Sequence, residues 1–122
     1  MTSDWSDEIV VVDLADEPEL SEELAHLSER IGGLAAEGGH VPSVVLNFGA
    51  VSYMNSSNIA QLLRVKRQLA EAERALRVCA MQDEVWSVIK ITGLDKVFVV
   101  APDPMTALAS IQLEGPAGEG AG

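Results

Sequence analysis

The chain has 122 residues, 48% of them apolar, and 19 acids against 8 lysines and arginines, for a formal net charge of −11. That is material for one compact core and one domain. No apolar run approaches the roughly 20 residues needed to cross a bilayer, and the charge argues against nucleic acid and anionic membrane surfaces as partners.

The N-terminus, Asp4 to Glu8, carries acids and no base, which does not fit a secretory signal. Residues 1–8 read as a polar segment or an edge strand near Trp5. Ile9 to Leu14 is a β-branched run of strand length. Asp16, Pro18 and Glu19 then predict a helix start, with Asp16 as N-cap, Pro18 in the first turn and Glu19 at the capping-box position; Ser21 is a later candidate start. Leu20, Leu24, Leu27, Ile31 and Leu34 recur at helical spacing. Gly32-Gly33 weakens the last turns of this helix and Gly38-Gly39 ends it.

Val44 to Phe48 suits a central strand of a parallel sheet covered on both faces. Tyr53-Met54-Asn55-Ser56-Ser57-Asn58-Ile59 follows and opens the most regular amphipathic helix of the chain. Ile59, Leu62, Leu63, Val65, Leu69 and Ala72 mark its inner side, with Gln61, Arg64, Arg67, Gln68 and Glu71 opposite. Leu76 to Met81 reads as a strand, and Asp83 can cap a short helix carrying Val85, Trp86, Val88 and Ile89, ended by Gly93. Lys96 to Val100 is the last predicted strand, and Asp103-Pro104 starts a helix through Met105, Leu108 and Ile111. The Gly-rich tail, 113–122, has almost nothing to bury and is expected to be disordered. The fold class is therefore α/β: one small domain over 9–112, with a mostly parallel central sheet of strands alternating with helices.

A strand, a short loop and paired hydroxyls at a helix start place Ser56 and Ser57 at the carboxyl edge of the sheet, where open α/β folds put their working residues. Two readings follow. Asn55 or Ser56 can be a plain N-cap, worth about 1 kcal/mol; alternatively the helix start can accept a phosphate, which free amides and the helix dipole favour. Catalysis is not expected. His26 and His40 do not converge on the serines, the turn lacks the glycines of a nucleophile elbow, and neither a phosphate loop nor a Cys/His metal cluster is present. No catalytic residue, metal or cofactor is assigned. Cys79, the single cysteine, sits in an apolar run and reads as a core thiol in a reducing, cytoplasmic compartment. Arg64, Lys66, Arg67, Arg74 and Arg77 gather on or just after the serine-headed helix, either as a solvated face or as a docking patch for an acidic partner.

Val44-Val45-Leu46-Asn47, Tyr53-Met54-Asn55-Ser56-Ser57, Ile59 with Leu62-Leu63, Val78-Cys79 and Ile91-Thr92-Gly93-Leu94-Asp95-Lys96-Val97-Phe98 together resemble the STAS family of bacterial anti-sigma factor antagonists. The likeness runs from Ile9 to Ile111 and is firmest at the serine pair and at the Thr-Gly-Leu-Asp-Lys-Val-Phe segment. The resemblance implies a small α/β regulator that binds a serine-kinase anti-sigma factor and is switched off by phosphorylation of the first serine. That serine is Ser56 here, with Ser57 the lesser candidate, and Asn55, Ser56, Ser57, Asn58, Arg64 and Arg67 are the expected partner-binding residues. The family's acidic residue before the serines is Asn55 in this chain, and the glycine after them is Asn58, which is expected to add a side chain to the partner-facing surface. A non-switching STAS subunit of a larger regulatory or transporter-associated assembly is the alternative, with homo-oligomers open to it. A small hydrolase or phosphotransfer acceptor is the alternative from another class.

Overall fold

Alternation along three apolar strands decides the architecture. Val10, Val12 and Leu14, then Val44, Leu46 and Phe48, then Leu76 and Val78 all point to one side of a sheet and form a single buried cluster. Successive strand residues face opposite sides, so Val45, Ala75 and Cys79 point the other way and form a second, smaller core with Ala101. The strand Ser43–Ala50 is thus covered on both faces, as expected of a central parallel strand.

The structure is a computed structural model that describes residues 3–5 and 8–114. Its elements are β1 (Ser3–Trp5), β2 (Ile9–Ala15), α1 (Glu19–Ala36), β3 (Ser43–Ala50), α2 (Ser56–Glu71), β4 (Leu76–Cys79), α3 (Asp83–Ile91), a 3-10 turn (Leu94–Lys96), β5 (Val99–Ala101) and α4 (Pro104–Glu114). The strands lie in the order β1-β2-β3-β4-β5. β2 to β5 are parallel and β1 runs antiparallel along the outer edge of β2. In register, Val12, Leu46, Val78 and Val100 stand side by side, and one residue along Asp13, Asn47, Cys79 and Ala101 form the next row.

Helices α1 and α2 lay Leu20, Leu24, Leu27, Ile31 and Leu62, Val65, Leu69 on the larger core. Two glutamines stitch them together: Gln61 Nε2 donates to the Ser21 carbonyl and Gln68 Nε2 to the Ser28 carbonyl, both at 3.1 Å. The donors and the acceptors are each seven residues apart, two turns of two helices running side by side. On the opposite face α4 packs Ala107 and Ile111 on Val45, Ala75, Cys79 and Ala101. Cys79 is a buried core thiol as expected, and burial, helped by Asp103 and Asp13, pushes its pKa up to about 11.

Several local expectations are corrected. α1 begins at Glu19 after Pro18, which makes no side-chain cap bond, and Asp16 is not its N-cap. The Glu17 carboxylate does that work by accepting from the Ser21 N–H at 2.6 Å and from the Ser21 hydroxyl. The other end of α1 is as expected: Gly38, at φ +73°, and Gly39 turn their N–H groups back on Ala35 and Leu34, the hydrogen-bond pattern of a Schellman stop. Gln82, not Asp83, precedes α3 as N-cap, and its side chain reaches instead to the Gly49 carbonyl at 3.0 Å. Lys96 to Phe98 are not strand. The Val97 and Phe98 N–H groups both turn to the Leu94 carbonyl, so Phe98 drops into the core and pairing with β4 begins only at Val99. Leu63, expected on the inner side of α2, is 37% exposed. Finally, α4 continues through Glu114, past the expected boundary at 113; the rest of the tail, 115–122, lies outside the described residues, as do positions 1, 2, 6 and 7 of the N-terminal segment.

Candidate functional site

α2 starts at Ser56 because Asn55 stops the extended chain there. With φ −99° and ψ 176°, Asn55 is a β-region N-cap whose side-chain oxygen accepts from the Asn58 N–H at 2.9 Å. Asn58 returns the bond, its Oδ1 accepting from the Asn55 N–H at 3.0 Å, which closes a capping box made of two asparagines. The cap of this helix is therefore complete without either serine. Ser56 and Ser57 are exposed, and among the described residues the Ser56 hydroxyl makes no side-chain hydrogen bond.

Asn58 is 0% exposed, which corrects the expectation that it adds a side chain to the outer surface. Its amide group instead turns inward, where Nδ2 meets Glu17 Oε2 at 3.3 Å and Ser21 Oγ at 3.3 Å. A buried amide needs such partners, since leaving it unpaired costs about 1–3 kcal/mol. Next door, Asp16 reaches the loop ahead of α2: its carboxylate accepts from the Ser52 N–H at 2.8 Å and the Ser52 hydroxyl at 2.7 Å. Two neighbouring acids of the β2–α1 loop thus hold the β3–α2 loop at both ends. The Ser52 hydroxyl is the chief reason the Asp16 pKa lies below its ordinary value, with the Ser52 and Tyr53 amides adding to it. The Ser21 hydroxyl, then the Ser21 amide, lower that of Glu17. Between the two ties, Val51 and Met54 are buried in the main core while Tyr53 stands 62% exposed.

A family model for the STAS domain matches residues 7–107. The chain belongs to the STAS family. Bordetella bronchiseptica BtrV, whose name assigns it provisionally to the anti-sigma factor antagonists, is 30% identical over 69 residues, 57% of this chain. The match spans 60% of the length of that relative. A STAS domain protein from Planctomyces limnophilus, titled an anti-sigma-factor antagonist, superposes with a TM-score of 0.74 at 16% identity, over 91% of this chain and 97% of its own. The Bacillus cell fate determinant SpoIIAA in its phosphorylated form superposes with a TM-score of 0.65 at 19% identity, over 90% of this chain and 97% of its own. At such identities these structures show a shared fold.

Within this STAS domain the expected docking residues are dispersed differently from their sequence order. Ser56, Ala60, Leu63 and Arg67 recur one and two turns apart on α2 and all are exposed, so they form one outward stripe with Arg64 beside it. Arg77 leaves the expected basic patch, being fully buried on the α4 side of the sheet with Nε donating to Ser110 Oγ at 2.9 Å. Arg74 leaves it too, its guanidinium donating to the Glu8 carbonyl at 3.2 Å. His26 and His40 are exposed, on α1 and in the α1–β3 connection. Asp16 reads in sequence as a helix N-cap and Glu17 carries no signal of its own, and nothing local announces their bonds to Ser52 and Asn58, which are 36 and 41 residues away.

Proposed function

We propose that this STAS domain acts as an anti-sigma factor antagonist: the surface around Ser56 binds a serine-kinase anti-sigma factor, which lets go of its sigma factor, and phosphorylation of Ser56 ends the binding. The observation that carries this reading is the division of labour at the start of α2. Asn55 and Asn58 satisfy the helix end between them, which leaves the Ser56 hydroxyl exposed and free of a structural task. A phosphate there meets the positive end of the helix without disturbing the core. One relative is named for the anti-sigma factor antagonists and a structural neighbour is described in its phosphorylated form, which supports the same reading. Binding and release are the activity; Asn55, Ser57, Arg64 and Arg67 belong to the surface that the partner covers.

The test is to purify from the native cell the kinase that phosphorylates this chain, incubate the two with ATP, locate the phosphate by mass spectrometry and measure affinity before and after. Phosphate on Ser56 with a loss of about 100-fold or more is expected, because two added charges in a tight interface leave partner groups repelled or unpaired. Phosphate on Ser57 alone, or on Ser56 with unchanged affinity, overturns the proposal in favour of a non-switching STAS subunit.

A further inference from the structure

Tyr53 is the one tyrosine of the chain, and its ring stands 62% exposed, the one aromatic among the exposed large hydrophobic side chains of the described residues. Its loop is not free to fold the ring away. Val51 and Met54 are pinned in the core on either side of it. Asp16 holds Ser52 by two hydrogen bonds immediately before it, and the Asn55–Asn58 box closes two residues after it. An aromatic ring kept in water by a clamped backbone carries little of the ordering cost that binding ordinarily exacts. Tyrosine is also among the residues that most often dominate an interface when buried. Three residues on, Ser56 opens the outward stripe of α2, and the same stripe carries the half-exposed Leu63. Arg67 ends that stripe and Arg64 lies beside it, positive charge on a chain of net charge −11.

We infer that Tyr53 is the anchor residue of the Ser56 surface, inserted into an apolar pocket of the bound partner, with Leu63 as the second apolar contact, acidic partner groups further along α2 facing Arg64 and Arg67, and Asp16 as the positioning residue that keeps the ring presented. This rests on the proposed function, since the partner in question is the kinase that phosphorylates Ser56. The occupant it commits to is that protein and not a second copy of this chain, because Arg64 and Arg67 ask for an acidic counterpart while the stripe itself bears none.

The experiment uses that purified kinase and the full chain. Nitration by tetranitromethane, read by mass spectrometry on the Tyr53 peptide of this chain, should be ready in the free protein and at least tenfold slower in the complex. Tyr53→Ala should weaken binding about 30-fold or more, Leu63→Ala several-fold, and Ile91→Ala, which removes an 84% exposed side chain at the end of α3, not at all. All three variants should melt within a few degrees of wild type, since none removes a core side chain. Asp16→Asn should speed amide exchange at Ser52 and Tyr53 and weaken binding less than Tyr53→Ala does. Equal nitration in the free and bound states, or a Tyr53→Ala affinity within threefold of wild type, overturns the inference even where phosphorylated Ser56 still blocks binding. Binding that ignores Ser56 phosphorylation but needs Tyr53 sinks the proposed switch instead and leaves the anchor standing.

Discussion

Asp16 and Glu17 are exposed acids on a loop, the residue type least expected to organise anything, yet each holds one end of the segment that carries the candidate site. Their bonds are charge-assisted, and such bonds are stronger than neutral ones. Because both pKa values are lowered in the folded chain, both contribute stability that is present above their ordinary values of 3.8 and 4.5 and is lost as pH falls through the lower folded values. The loop around Ser52 to Asn58 should therefore keep its geometry at neutral pH and loosen only in acid. Carboxyl-carbon NMR titration should give midpoints for Asp16 and Glu17 below 3.8 and 4.5, with the Ser52 and Ser21 amides shifting at the same midpoints. Ordinary midpoints would mean that the two ties are not made in solution.

On the scale of the element, α2 separates the residues that build the helix from those left over for a partner. Asn55→Ala removes the N-cap and should cost about 1 kcal/mol. Asn58→Ala should cost about 1–3 kcal/mol, since it opens the capping box and strips a buried partner from Glu17. Ser56→Ala, by contrast, should stay within about 0.5 kcal/mol of wild type. Urea unfolding of the three variants checks the order, and a Ser56→Ala loss equal to that of Asn55→Ala would return the serine to a structural role. The helix end itself was legible in sequence, because a polar N-cap before a regular apolar stripe has a local cause. Asn55 was one of the two candidate caps, and its pairing with Asn58 is local, three residues apart; the turn of Asn58 away from solvent was not legible, because it depends on Glu17, which only the folded chain brings near. Phe98 is a similar case: its run of apolar neighbours looks like strand until Gly93, at φ +78°, starts a tight turn that absorbs Leu94 to Lys96. Arg77 was legible in principle, since strand alternation puts it on the face of Cys79 and Ala75, under α4.

For the whole molecule, charge is uneven in a way that matters for encounter rates. The chain is acidic overall, so under the proposed function an acidic partner would be steered to the exposed arginines of α2, Arg64 and Arg67. Replacing Arg64 and Arg67 together with Gln should weaken partner binding mainly through slower association, and the deficit should shrink at high salt as the field is screened. Stopped-flow association across a salt series reads both. An unchanged on-rate and salt slope would make the two arginines an ordinary solvated face. The order of strands and helices, being set by hydrophobic period, was readable from sequence throughout; the loss of Arg77 from the exposed cations was readable from strand alternation, but that of Arg74 was not, because it is taken up by the Glu8 carbonyl, 66 residues away in sequence.

Both borders of the sheet are strands of only three residues, Ser3–Trp5 and Val99–Ala101. Short edges offer few unpaired amides and carbonyls to a strand from another chain, which limits both fibre-like stacking and peptide capture by strand addition. A protein built this way must be gripped by its side chains. A grip of that kind has no main-chain ladder to fall back on when one of its members changes, so a single altered side chain should weigh heavily on it.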